Sequence, residues 1–352
     1  MSDNLSRTAQ DLLALSITQT NLVSDGFVEA NHIDPNLVNP WGVSYNPTGP
    51  FWVSDNGTGV ATLYNGSGEP SPVGNPLVVT IPTPDAQADH SAPTGQVFNG
   101  GGGFVVTEGY SSGSAAFLFA TEDGTIAGWN PTVDATNAIT AVDESGSGAV
   151  FKGLAIGTMG GQQFLYAANF HDGNVEVFDS SFNHVKSFTD PSVPSNYAPF
   201  NVQVLGDHLY VTFAQQDETK HDDVPGPGHG YVDEFDLSGQ LLHQVAANGP
   251  LDSPWGLDIA PASFGRFAGD LLVGNFGDGT INVFDHDTGD FAGKLTGPNG
   301  QPIQNDGLWA LINGNGGNGG EPNTVYFTAG LADETHGLFG SLTPTTADHP
   351  WS

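Results

Sequence analysis

Chemistry in this chain has to be done by carboxylates, imidazoles and amines. The sequence holds no cysteine, 11 histidines, 39 Asp and Glu, and only 6 Lys and Arg, which excludes thiolate nucleophiles and thiolate metal sites. Two histidines stand in comparable contexts, His171 in ANFHDG and His336 in DETHGLFG. Together with a carboxylate from Asp222, Asp217 or Glu334 they would suit Zn, Cu, Mn or Fe, whereas carboxylates and carbonyls alone would suit Ca. The competing reading is that each is a hydrogen-bonded turn residue. An insert, DETKHDDVPGPGHG, adds Asp217, Glu218, His221, Asp222, Asp223 and His229; it is too long for a minimal hairpin, and such loops often carry function. Lys152 sits in an apolar run, VFKGLAI. It is read as a base of lowered pKa, an anchor for an anion, or the partner of a carboxylate such as Glu108 or Asp143.

These side chains need a scaffold, and the chain supplies one by repetition. A phrase recurs at ~45 to 60 residue intervals, starting at Asn39, Ala92, Phe151, Ala198, Ser253 and Asp306. Each copy has short stretches alternating apolar and polar residues, such as VEVFD and INVFD. Turn dipeptides Asp123-Gly124, Asp172-Gly173 and Asp278-Gly279 separate them, and Asp-Gly supplies the positive φ a tight hairpin needs. One small sheet cannot bury both faces, whereas a ring of six can. The expectation is an all-β fold, a six-bladed β-propeller of four-stranded antiparallel blades. A strand from the segment SITQTNLV, starting at Ser16, would complete the last blade. Residues 1–15 form an N-terminal extension containing a short helix, 16–342 a single propeller domain, and 343–352 a loose C-terminal tail.

Aligning the copies places Trp41, Thr94, Lys152, Asn201, Trp255 and Trp309 at equivalent positions where each innermost strand begins. Trp41, Asn201, Trp255 and Trp309 are therefore candidate ligand-binding residues at the channel mouth. The plainer role for the tryptophans is packing between blades, since each buries a large area and its N–H can cap a carbonyl.

The phrases NPWGVSYNPTGPFWVSDNGTG, ATEDGTIAGWNP, LYAANFHDGNVEVFD, SPWGLDIAPASFG and HGLFG, in that order, resemble a group of uncharacterised bacterial propeller proteins, over Leu22 to Leu342. The blade pattern is more distantly similar to NHL-type and gluconolactonase-like six-bladed propellers. That resemblance implies a ligand at the mouth of the central channel and metal-assisted hydrolysis of a lactone or ester. No counterpart of the lactonases' Glu-Asn-Asn-Asp calcium set stands out.

The net charge of −33 repels phosphate backbones, so nucleic acid is excluded as a partner. No run approaches the ~18 apolar residues of a membrane span, and the first residues lack a signal-peptide layout. Nucleotide and flavin fingerprints and a G-x-S-x-G elbow are absent. The expected function is that of an exported or cell-surface protein, otherwise cytoplasmic, binding a small polar or sugar-like molecule or glycan. A divalent metal (Ca, Zn, Cu or Mn) held by His171, His336, Asp222 and Glu334 would assist hydrolysis, with His171 and Lys152 as the catalytic pair. The alternatives are a non-catalytic glycan- or protein-binding scaffold and a copper-dependent redox protein.

Overall fold

Six small antiparallel sheets follow one another along the chain. The computed structural model describes residues 15–85 and 88–345; the helix expected over residues 1–14 lies outside the described residues, as does the chain beyond 345. Blade 1 is built from Pro40–Ser44, Phe51–Asp55, Val60–Tyr64 and Val78–Thr80. Blade 2 uses Pro93–Phe98, Phe117–Thr121, Thr125–Trp129 and Ile139–Asp143, with an extra hairpin, Val105–Glu108 and Ser111–Ser114, between its first two strands. Blade 3 comprises Phe151–Met159, Gln162–Asn169, Asn174–Asp179 and His184–Phe188. Blades 4 and 5 repeat the plan from Tyr197–Leu205 and Pro254–Ile259.

Blade 6 takes three strands from the C-terminal part of the chain, Leu308–Asn313, Val325–Gly330 and His336–Thr345. The fourth, Ser16–Ser24, comes from the other end. Its register runs antiparallel from Ser16 opposite Thr345 to Ser24 opposite Leu338, which closes the ring as the repeat predicts. The two-residue strand His32–Ile33 adds to its outer edge.

The expected hairpins form where the sequence places them. Gly124, Gly173 and Gly279 have φ of 76°, 72° and 69°, a region glycine enters at no steric cost. The innermost strands approach backbone to backbone around the axis. A Cβ at Gly95 would overlap the Leu154 nitrogen, and one at Gly153 would overlap the Asn201 side chain. Glycine after Thr94 and Lys152 is therefore what lets neighbouring blades meet at the axis.

Rings fill the axis itself. Trp41 and Trp309 stack at 3.5 Å between centroids, Trp255 meets both edge-on at 6.0 and 5.8 Å, and Phe276 stacks on Trp309 at 4.2 Å. Phe170 and Phe200 complete this cluster. It divides the channel into two cavities, one at each end. No helix among the described residues is long and apolar enough to cross a membrane.

Candidate functional site

The cavity where the innermost strands begin has a volume of about 440 Å³. It is lined by Trp41 and Trp309 as a floor and by Glu122, Lys152, His221, Asp222, Asp223, Asp306, Asp333 and Glu334. Lys152, on the first strand of blade 3, is buried, and its Nζ lies 5.2 Å from the Trp41 ring centroid and 5.8 Å from that of Phe170. It forms an ion pair with Glu122 and reaches Asp222 Oδ1 at 3.5 Å. Burial lowers the pKa of this ammonium, but the Glu122 charge and hydrogen bond, then Asp222, outweigh that and hold it above the ordinary lysine value. At neutral pH it is a cation, so it acts as an anchor for negative charge and not as a base.

Glu122 follows immediately on the second strand of blade 2, and neither Glu108 nor Asp143 is the partner of Lys152. The residue at the same place also turns toward the axial group in blades 1, 3 and 5, where it is Asn56, Phe170 and Phe276; in blade 6 it is Leu331, which packs into the blade core instead. Asn56 Nδ2 donates to Glu122 Oε2 at 2.8 Å, and Asn39 Nδ2 donates to Asn56 Oδ1 at 3.2 Å and to Glu334 Oε2 at 2.6 Å. Trp309 Nε1 donates to Asn39 Oδ1 at 2.9 Å. A single hydrogen-bonded chain thus joins the floor to both carboxylates.

Glu334 is presented by an unusual turn. Ala332, Asp333 and Glu334 have φ of 52°, 53° and 63°, three consecutive non-glycine residues in the left-handed region, at roughly 1–2 kcal/mol each. The turn is held by Ala332 N donating to Asp306 Oδ2 at 3.0 Å and by Thr335 Oγ1 donating to the Ala332 carbonyl at 2.6 Å. Burial, followed by the Glu122 charge, pushes the Glu334 carboxyl up to about 7 against the Asn39 hydrogen bond and Lys152. Since Oε2 accepts from Asn39, Oε1 is left to carry the proton.

The insert of blade 4 brings the remaining groups. His221 Nδ1 and Asp222 Oδ1 are 2.8 Å apart. The hydrogen bond from His221, with Lys152 adding to it, holds Asp222 down at about 2 despite its partial burial, while Asp222 raises the imidazole above its usual value. Burial raises Asp223 to about 6, against Ser253 and Lys152, and its Oδ2 is enclosed without a partner. Two carboxyls of one cavity, Asp222 at about 2 and Glu334 at about 7, therefore titrate far apart, the arrangement that separates base from acid.

Of the residues singled out from the sequence, Lys152, Asp222, Glu334, Trp41 and Trp309 converge on this cavity. His171 and His336 do not line it. Phe170 occupies the axial position, and His171, one residue on, pairs with Asp172 in its own turn, Nδ1 to Oδ1 2.9 Å. His336 pairs with Asp25 at 2.6 Å and stacks on Phe27 at 4.0 Å. Trp255 and Asn201 line the opposite cavity, of about 420 Å³. There the Asn201 amide caps the Trp255 carbonyl at 2.8 Å, and Trp255 Nε1 caps that of Lys152 at 3.0 Å.

Glu122, His221 and Asp222 offer donor atoms within 4.8 Å of one another, a set that could hold a divalent ion. The Lys152 ammonium already contacts both carboxylates and is fixed against the plug. An ion there would have to displace a buried cation, so these residues do not fit a resident metal.

The fold and this site define a six-bladed β-propeller with a plugged axis and a carboxylate-rich mouth. Compared with known proteins, the chain is 36% identical to uncharacterized protein L690 of Acanthamoeba polyphaga mimivirus over 332 residues, 91% of this chain and 84% of that protein. It is 33% identical to uncharacterized protein R648 of the same virus over 330 residues, 91% of this chain and 78% of that one. The chain belongs to the family of these two proteins. No family model matches it. Among solved structures, streptogramin B lyase shares the fold, with a TM-score of 0.51 at 10% identity over 94% of this chain and 98% of that one.

Proposed function

We propose that the protein binds a small hydroxylated ester or lactone in the mouth of its channel and hydrolyses it by acid–base chemistry. The observation that carries this is the convergence, on one cavity of about 440 Å³, of an Asp–His pair, a buried ammonium and a carboxyl protonated near neutrality. Asp222 orients His221 through Nδ1, leaving Nε2 to take a proton from water, the logic of base plus orienting carboxylate. The oxygen of the water bonds to the ester carbonyl carbon, and the charge developing on the carbonyl oxygen is steadied by Lys152. As the bond from the acyl carbon to the alkoxy oxygen breaks, Glu334 Oε1 gives its proton to the departing alkoxide, and the proton held by His221 passes through solvent to restore Glu334. The products are an acid and an alcohol.

Trp41 and Trp309, under the mouth, make binding visible. Titration with monosaccharides and their lactones should change tryptophan fluorescence saturably, and lactone hydrolysis followed by base uptake should be lost in His221→Ala. Glu334 is protonated below about 7, while His221, raised above its usual value, must be neutral to take a proton, so the rate should pass through a maximum and fall on both sides; Glu334→Gln, which cannot donate, should lower kcat by about 10²–10⁴-fold and reduce the profile to one limb. A saturable signal without turnover would leave binding and eliminate catalysis. Absence of both would eliminate the whole reading.

A further inference from the structure

A second group of ligating side chains lies away from the mouth, between blades 2 and 3. Glu144 follows the outer strand of blade 2, Glu176 lies on the third strand of blade 3 and His184 opens its fourth. One oxygen of each glutamate and one ring nitrogen of His184 lie within 4.8 Å of one another. We infer that this group is a divalent-cation site that ties the two blades together, taking a first-row ion of the Zn²⁺ or Mn²⁺ type.

Two features separate it from an ordinary acidic cluster. Glu176 is only 4% exposed, its Oε1 accepts from Asn169 Nδ2 at 2.8 Å, and its Oε2 is enclosed with no amide, hydroxyl or ammonium donor, facing the Glu144 carboxyl. A buried carboxylate oxygen without a donor is costly unless something positive meets it, and no lysine or arginine does so here. The second feature is the imidazole. His184 Nε2 lies 2.9 Å from both the Lys186 carbonyl oxygen and Ser187 Oγ; the carbonyl can only accept, so the Nε2–H tautomer satisfies it and the neutral imidazole keeps its lone pair on Nδ1. A ring nitrogen donating to a backbone carbonyl is how metal-bound imidazoles are usually oriented. Two carboxylates with one imidazole favour a transition ion over Ca²⁺, which takes six to eight oxygens.

The test uses the full chain without a histidine tag, stripped with chelator and desalted, and titrated calorimetrically with Zn²⁺, Mn²⁺ and Ca²⁺. One site per chain is expected, with Zn²⁺ or Mn²⁺ bound more tightly than Ca²⁺ and the melting temperature raised. Glu176→Gln, which keeps the shape and the Asn169 contact, and His184→Ala should each weaken binding about tenfold or more. His221→Ala, in the mouth, should bind as the parent does. If Glu176→Gln fails to fold, as circular dichroism would show, Glu144→Gln replaces it with the same expected loss. No saturable binding of any of the three ions would overturn the assignment and leave the glutamates sharing a proton. Undiminished binding in the blade 2–3 variants would overturn it too, by placing the ion elsewhere. The proposed hydrolysis in the mouth needs no ion, so failure of either reading leaves the other standing.

Discussion

Lys152 and Glu122 keep their charges where water hardly reaches, with side chains 3% and 13% exposed, and neither can be removed alone without consequence. Lys152→Met should destabilise the protein by about 3–5 kcal/mol because it strands the Glu122 carboxylate and brings Asp222 nearer to it without compensation. The double variant Lys152→Met/Glu122→Gln should recover most of that loss, since the asymmetry comes from the unpaired charge and not from the pair as such; urea melts of the parent, the single and the double variants read this directly. The sequence made Lys152 visible by its rarity and its apolar setting. Its partner was not visible, because distance along the chain does not select Glu122 over Glu108 or Asp143 and only the blade register decides. The same register explains His171: in blade 3 the residue that follows the second strand is Phe170, which enters the plug, so His171 belongs to the turn. Aligning the turns after the second strands does place Asn56, Glu122, His171 and Gly277 at comparable positions; Asn56 and Glu122 hold the axial place, whereas in blades 3 and 5 it belongs to Phe170 and Phe276, one residue earlier. The left-handed turn at Ala332–Glu334 gave little signal, because of its three residues only Asp333 is of a type enriched at positive φ.

At the level of elements, closure rests on one segment. Ser16–Ser24 supplies the outer strand of blade 6 and buries Ile17, Leu22 and Val23, and Ile17 N also bonds to the Thr296 carbonyl of the preceding blade at 2.9 Å. A chain beginning at Asp25 should therefore lose the single cooperative melt and expose His336–Thr345 as an open edge prone to pair with other copies; calorimetry and light scattering would show a broadened transition and larger species, whereas an unchanged melt would mean that blade 6 stands on three strands. Here the sequence was at its most legible. Asp-Gly turns, period-two alternation and the recurrence of the whole phrase are local signals that the ring only has to obey. What escaped was the role of the tryptophans, for the same residue at the start of an inner strand can face a ligand or other rings. The number of rings converging on the axis favours the second for Trp255, while Trp41 and Trp309 serve as both packing and floor.

Taken as a whole, the molecule carries −33 charges and yet buries several carboxyls that resist ionisation. Burial, then the Asp190 charge, raises Asp233 to about 8; burial raises Asp258 to about 7 against its backbone and Asn313 contacts, and Glu334 rises to about 7 for the reasons given above. In the unfolded chain such groups ionise near 4, so between about pH 4 and 8 the folded state holds more protons than the unfolded one, and their contribution to stability is lost as pH rises. The melting temperature should accordingly decline from pH 5 to pH 8, Asp258→Asn should flatten part of that slope, and added salt should raise the melting temperature most at the alkaline end by screening the surplus charge. A melting temperature that climbs over this interval would refute the assignment. The rings along the axis have one more consequence. Because Trp41, Trp255, Trp309 and Phe276 pack on one another between the two cavities, the axis is a filled partition and not an open bore. The propeller therefore offers two receptacles set back to back, joined through the partition where Trp255, lining one, holds the carbonyl of Lys152, lining the other.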